Sequence, residues 1–190
     1  MYIQSIKYEE LLPEKLDWFL SDTVFNDVNL IVGKNGTGKT RILNIMSCLA
    51  QVFTNKREPS NGHWEVTFWD SDTNSKLRYI LTVLGAIQKE HLSVNGEVVL
   101  DRGKNGIGRL KYEKISTKDK MVEFKCGDKQ SAVFFRGDEI QHPHVFALQK
   151  WGKSLRHYYF GSTFGHHDVK FHNSSGEGAP KEDDTSPDKV

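Results

Sequence analysis

Eight residues, Gly33-Lys34-Asn35-Gly36-Thr37-Gly38-Lys39-Thr40, constrain this chain more than any other stretch. They fit G-x-x-x-x-G-K-[ST], the spacing of a glycine-rich loop that cradles phosphates. Such a pattern also arises by accident, so its flanks have to carry the reading. Before it, Val28-Asn29-Leu30-Ile31-Val32 is a short β-branched apolar run, which predicts a buried strand entering the loop. After it, Ile42, Leu43, Ile45, Met46, Leu49, Ala50 and Phe53 recur at steps of three and four, which predicts an amphipathic helix from about Lys39 to Phe53. Strand, loop and helix stand in the required order.

The residue types suit that chemistry. Gly33, Gly36 and Gly38 let the backbone turn tightly and bring its N–H groups against phosphate oxygens with no Cβ in the way. A helix beginning near Gly38 points unsatisfied N–H groups and its positive dipole end at the same place. Lys39 is expected to reach β/γ-phosphates as a point charge, and the Thr40 hydroxyl to take one position on Mg²⁺.

The rest of the composition is that of an ordinary globular protein. The 190 residues suffice for one well-cored domain with or without a tail. With 26 basic and 25 acidic residues the net charge is +1, so no global field draws the chain to nucleic acid, and only a local basic patch could do so. Cys48 and Cys126 are far apart and no secretory segment precedes them, which suggests reduced thiols. No apolar run approaches membrane-spanning length, so the expectation is a cytoplasmic protein.

Along the chain, Tyr2 to Tyr8 alternates as a first strand and Leu16 to Leu20 as a second, closed by a turn at Ser21-Asp22. Val28 to Val32 is the third. Thr54 to Gly62, with Pro59 and Asn61-Gly62, breaks the pattern. Period two then takes over in Trp64, Val66 and Phe68, and again in Leu77, Tyr79, Leu81 and Val83. Asn95-Gly96 between His91–Val94 and Glu97–Leu100 is a hairpin signal of the primed-turn kind. Arg109–Lys114, Met121–Lys125 and Ser131–Phe135 read as further strands, giving a mainly antiparallel β region over 63–136. Pro143 suits the first turn of a last helix, over 143–160, in which Leu148, Trp151, Leu155 and Tyr158 share a face. Lys150, Lys153, Arg156 and His157 form a basic edge, read as a solvated face rather than a nucleic-acid surface. The expected organisation is an α/β (α+β) lobe over 1–165 and a disordered tail over 166–190.

The run Gly-x-Asn-Gly-x-Gly-Lys-Thr after a strand-rich N-terminus resembles the ABC-type ATPase heads of the SMC, RecF and OLD families. Asn35 matches the group's usual residue before the second loop glycine. The likeness is specific over residues 1 to about 55 and architectural from about 63 to 160. It implies a P-loop NTPase fold, specifically the N-terminal lobe of such a head with an antiparallel β subdomain. It implies ATP and Mg²⁺ as ligands, held by Gly33, Lys34, Asn35, Gly36, Thr37, Gly38, Lys39 and Thr40. It also implies a homodimer or a complex with a C-terminal lobe or effector protein, and a setting in DNA maintenance or antiphage defence.

The groups that such heads use for hydrolysis are not clearly present. Val133 to Ile140 has an apolar run and the pair Asp138-Glu139, but Arg136-Gly137 intervenes, so it reads as a strand and then an acidic turn. Val98-Val99-Leu100-Asp101 is followed by Arg102 inside the hairpin. Ser174-Ser175-Gly176-Glu177 looks like the core of an ABC signature, yet no helix-forming apolar sequence follows it. Gln141 and Gln149 lie near the place of a coupling glutamine. Gly103 to Gly108 echoes the loop's opening but lacks Lys-Thr and reads as a hairpin loop. His142, His144, His166, His167 and His172 lack matching metal-ligand spacing and read as loop histidines. The expectation is a chain that binds MgATP and needs a second lobe or partner to hydrolyse it. The alternatives are a self-sufficient small nucleotide kinase, for which no catalytic arginines or lid are recognisable, and a non-catalytic remnant or regulatory subunit.

Overall fold

A computed structural model describes residues 1–11, 18–112 and 121–158. Eight strands form one sheet: β1 (Tyr2–Glu9), β2 (Phe19–Val24), β3 (Gly62–Asp70), β4 (Ser75–Leu84), β5 (Ala86–Val94), β6 (Glu97–Arg102), β7 (Ile107–Lys111) and β8 (Met121–Lys125). Their order is β2-β1-β3-β4-β5-β6-β7-β8, and every neighbouring pair is antiparallel. Among the described residues, three α-helices complete the fold: α1 (Lys39–Phe53), the single turn α2 (Ala132–Phe135) and α3 (Pro143–Ser154). This is a mixed α+β architecture. Among the described residues no helix is long and apolar enough to cross a membrane.

Period-two patterning builds the sheet. Trp64, Val66 and Phe68 of β3 and Leu77, Tyr79, Leu81 and Val83 of β4 are buried, while Glu65, Thr67, Arg78 and Thr82 between them keep solvent contact. The apolar stripe of α1 (Ile45, Leu49, Phe53) and the buried face of α3 (Val145, Leu148, Trp151) share one core with those strands. Aromatic edges lock the layers together. Phe53 meets Tyr79 at 4.9 Å and Trp151 meets Phe68 at 5.0 Å, both edge-on. The two helices cross closely because α3 carries Gly152 there. A Cβ at that position would stand 2.9 Å from the Ala50 carbonyl oxygen. The β5–β6 hairpin turns on Asn95 and Gly96, at φ 50° and 88°, as the sequence predicts for a primed turn.

Residues Met1–Leu155 form one compact unit. The predicted helix over 143–160 ends at Ser154, with Leu155 extended at its C-cap. The tail beyond Tyr158, with Ser174–Glu177 and three of the histidines, lies outside the described residues.

Four expectations need correction. The second strand runs over Phe19–Val24, so Ser21 and Asp22 lie inside it, at the irregularity in its pairing with β1, instead of closing it. β7 covers Ile107–Lys111, two residues earlier than Arg109–Lys114. Ser131–Phe135 is not a strand: the Ser131 hydroxyl accepts the Val133 N–H at 3.1 Å and caps a helical turn. A four-residue apolar run has no periodicity to separate helix from strand, and the cap decides it.

The fourth correction matters most. Val28–Val32 is neither a strand nor buried: Val28, Leu30 and Val32 are 89, 86 and 77% exposed. An apolar run becomes a buried strand only when another strand offers it a ladder. Here β2 ends at Val24, and among the described residues no strand lies beside the segment that follows.

Candidate functional site

The loop predicted from the sequence is present as a shaped turn at the start of α1. Lys34 and Thr37 close it: the Thr37 hydroxyl donates to the Lys34 carbonyl at 2.8 Å, and the Thr37 N–H does so at 3.4 Å. Gly36 and Gly38 have φ of 82° and 91°, in the left-handed region that side chains rarely adopt. Gly33 sits against Thr37, where a Cβ would lie 2.9 Å from its Oγ1. Lys34, Asn35, Gly36, Thr37 and Thr40 are exposed, and Lys39 is half-buried.

Lys39 folds back over the loop. Its ammonium donates to the carbonyls of Gly33 at 2.7 Å and Lys34 at 2.6 Å. The side chain therefore stands on the concave side of the turn, on acceptors that a phosphate oxygen can replace. Gly38 caps α1 with no side-chain hydrogen bond, and the helix's first turn carries no acid. The positive end of a 15-residue helix is left without an internal counter-charge.

Trp18 supports this helix start. It lies beside Gly38, where a Cβ would come within 3.0 Å of the indole Cζ2. Arg41 stacks over the same indole at 4.7 Å from the ring centroid and pairs with Glu10. The Glu10 N–H in turn donates to the Trp18 carbonyl at 2.9 Å. The loop is thus supported by Glu10, just after β1, and Trp18, just before β2, while Val28, Leu30 and Val32 of its approach segment stay exposed.

The other candidate residues lie elsewhere. Asp138 and Glu139 occupy a turn after α2, where the Asp138 carboxylate accepts the N–H groups of Ile140 and Gln141. That is the acidic turn expected from the sequence, preceded by a helical turn instead of a strand. Gln141 is exposed; Gln149 is buried on α3, where its amide nitrogen lies 3.5 Å from the Phe134 carbonyl oxygen. His142 is buried, with Nδ1 3.0 Å from the Lys111 carbonyl oxygen and its ring edge-on to Tyr112. Gly103–Gly108 makes a tight turn into β7, with Asn105 and Gly106 at positive φ. The supporting cluster of Trp18, Arg41 and Glu10 is missing from the sequence reading, because residues 8 to 31 positions apart come together only through the fold. Only Arg41, two places after Lys39, had a positional hint.

No protein family, curated protein or solved structure matches the chain.

Proposed function

We propose that the chain is the nucleotide-binding lobe of an ABC/SMC-like P-loop ATPase, holding MgATP on Gly33–Thr40. The observation that carries this reading is Lys39. Its ammonium rests on two carbonyls inside a glycine turn, directly before an uncapped helix N-terminus. On binding, triphosphate oxygens would take the places of those carbonyls and accept from the N–H groups of the first turn of α1. The exposed Thr40 hydroxyl fits one position on Mg²⁺, an ion that keeps several waters and takes further ligands from the phosphates. The ion would supply charge neutralisation across the phosphates.

A second observation favours completion by another lobe, on the same polypeptide or on a partner. Val28, Leu30 and Val32 present an apolar edge of strand-forming residues at the entrance to the loop. A parallel strand laid against them would bury that edge and bring further groups to the phosphates. Among the described residues Asp138-Glu139 stands in a turn and not at a strand end, so the water-orienting carboxylate is assigned to that other lobe. The setting in DNA maintenance or antiphage defence rests on the resemblance of the loop alone.

The test is calorimetric titration of MgATP into the wild-type chain and Lys39→Ala. Saturable binding that disappears in the variant is expected. Equal affinity in both would overturn the assignment of the phosphate loop.

A further inference from the structure

A second cavity lies beside the loop helix and has no part in the reading above. It encloses about 270 Å³ and is lined chiefly by Tyr8, Arg41, Asn44, Arg57, Ser60 and Trp64. That is just below the range of about 300–1,000 Å³ typical of drug-sized ligands, so its occupant is small. Arg41 and Asn44 come from one face of α1, Tyr8 from β1, Trp64 from β3, and Arg57 and Ser60 from the connection after the helix.

The lining is rich in donors. Trp64 is 1% exposed, and among the described residues its indole N–H has no hydrogen-bond partner. An indole nitrogen can only donate. Tyr8 is also buried, and burial first, then the charge of Glu10, pushes its hydroxyl up to about 12, so it remains a neutral donor. Ser60 and Asn44 add a hydroxyl and an amide. Arg41 is held in place between Glu10 and the Trp18 ring. Arg57 is exposed, and among the described residues no carboxylate pairs with it. Among the described residues no acid lines the cavity.

Two guanidinium groups and several donors converging without a carboxylate in the described lining call for an oxyanion. We propose that this cavity is a second anion site, separate from the phosphate loop, that takes a small phosphate-bearing molecule. Arg57 supplies the uncompensated charge, and the Tyr8 hydroxyl, the Ser60 hydroxyl and the Asn44 amide supply hydrogen bonds, with the Trp64 ring forming part of the wall. The same chemistry serves free phosphate and a phosphate monoester.

The test uses the full chain carrying Lys39→Ala, so that the phosphate loop is disabled whatever its own ligand. Inorganic phosphate and glycerol phosphate are titrated separately, by calorimetry and by following the indole N–H resonance that vanishes in Trp64→Phe. The expected result is saturable binding of at least one probe, with that resonance shifting on saturation. Arg57→Ala should weaken it at least tenfold, and Arg57→Lys should recover part of the loss. Arg57 is exposed, so these variants test the site without disturbing the core. Tighter binding of one probe identifies the source of the phosphate. No binding of either probe, or binding indifferent to Arg57→Ala, would mean a cavity filled by water and would overturn the proposal. Loss of ATP binding in Lys39→Ala bears only on the phosphate loop, so the two readings fail independently.

Discussion

Glu90 of β5 and Arg102 of β6 stand directly opposite each other with both side chains fully buried, Nη1 lying 3.0 Å from Oε2. Neither charge is left bare. The Glu90 carboxylate also accepts the Tyr79 and Ser131 hydroxyls and the N–H groups of Ala132 and Val133. Arg102 further donates to the carbonyls of Gln130 and Gly127. Burial first, and then the Glu90 charge, hold the Tyr79 hydroxyl well above its ordinary pKa, so it stays a donor. The pair therefore ties β5 and β6 to residues 127–133 and sets the start of α2.

Removing one partner of such a pair strands the other charge, at a cost of about 3–5 kcal/mol. Glu90→Gln keeps the shape and deletes the charge, so it should lower the unfolding free energy by about that amount. Urea denaturation followed by far-ultraviolet circular dichroism measures it. A loss below about 1 kcal/mol would show that Arg102 finds compensation elsewhere.

Acid sensitivity should come in part from His63. Burial, the largest cause, holds its imidazole below the ordinary value of 6.5, against the opposing pull of Glu65 and Glu9 and with minor help from Lys7 and Lys89. Its Nδ1 lies 2.9 Å from the Thr82 hydroxyl. Because the folded pKa is the lower one, the unfolded chain takes the proton first as pH falls through 6.5. Stability is therefore full above that value and declines below it. His63→Gln retains a partner for Thr82 and cannot titrate, so its decline between neutral pH and the acid range should be shallower than that of the wild type. Parallel urea melts at stepped pH check this; identical slopes would exclude His63 as a contributor.

The sequence exposes some of this fold and hides the rest for definite reasons. The α1 periodicity, the alternation of β3 and β4 and the Asn95-Gly96 turn are local signals, and each appears in place. Glu90 could not be found that way. It occupies a buried strand position that patterning reserves for apolar residues, and its partners lie as far as 43 positions away. Val28–Val32 misleads for the opposite reason. Its composition suits a core strand, but burial depends on a neighbour that local sequence does not contain. At the candidate site, the turn over Gly33–Thr40 is a local feature of consecutive residues, whereas Trp18 beneath Gly38 is a product of packing.

Two glycines at positive φ separate conformational cost from steric cost. Gly36 has φ 82° and open space around it, so Gly36→Ala should lose only the left-handed penalty of about 1–2 kcal/mol. Gly106 has φ 72°, and a Cβ there would fall 1.9 Å from the Cys126 carbonyl oxygen. That backbone is held by the Cys126 N–H donating to the Gly106 carbonyl at 3.0 Å. Gly106→Ala must displace the ladder between the turn and Cys126, so its loss should clearly exceed that of Gly36→Ala. Equal midpoints in urea would contradict this geometry.

The apolar approach to the loop gives the sharpest test of the second lobe. Leu30 is 86% exposed, and a surface substitution away from special features changes stability by only about 0.5 kcal/mol in either direction. Leu30→Asp should leave the melting curve of the chain unchanged and leave MgATP binding at Lys39 intact. If a strand of another lobe covers Val28, Leu30 and Val32, the same substitution buries an unpaired carboxylate at that junction. Turnover measured with a candidate partner lobe in which an apolar strand ends in an Asp-Glu pair should then fall at least tenfold. The contrast matters because a role in the loop alone would affect nucleotide binding, and a role in the core alone would affect the melting curve. Partner-dependent turnover that survives Leu30→Asp would show that this edge is not where the second lobe docks.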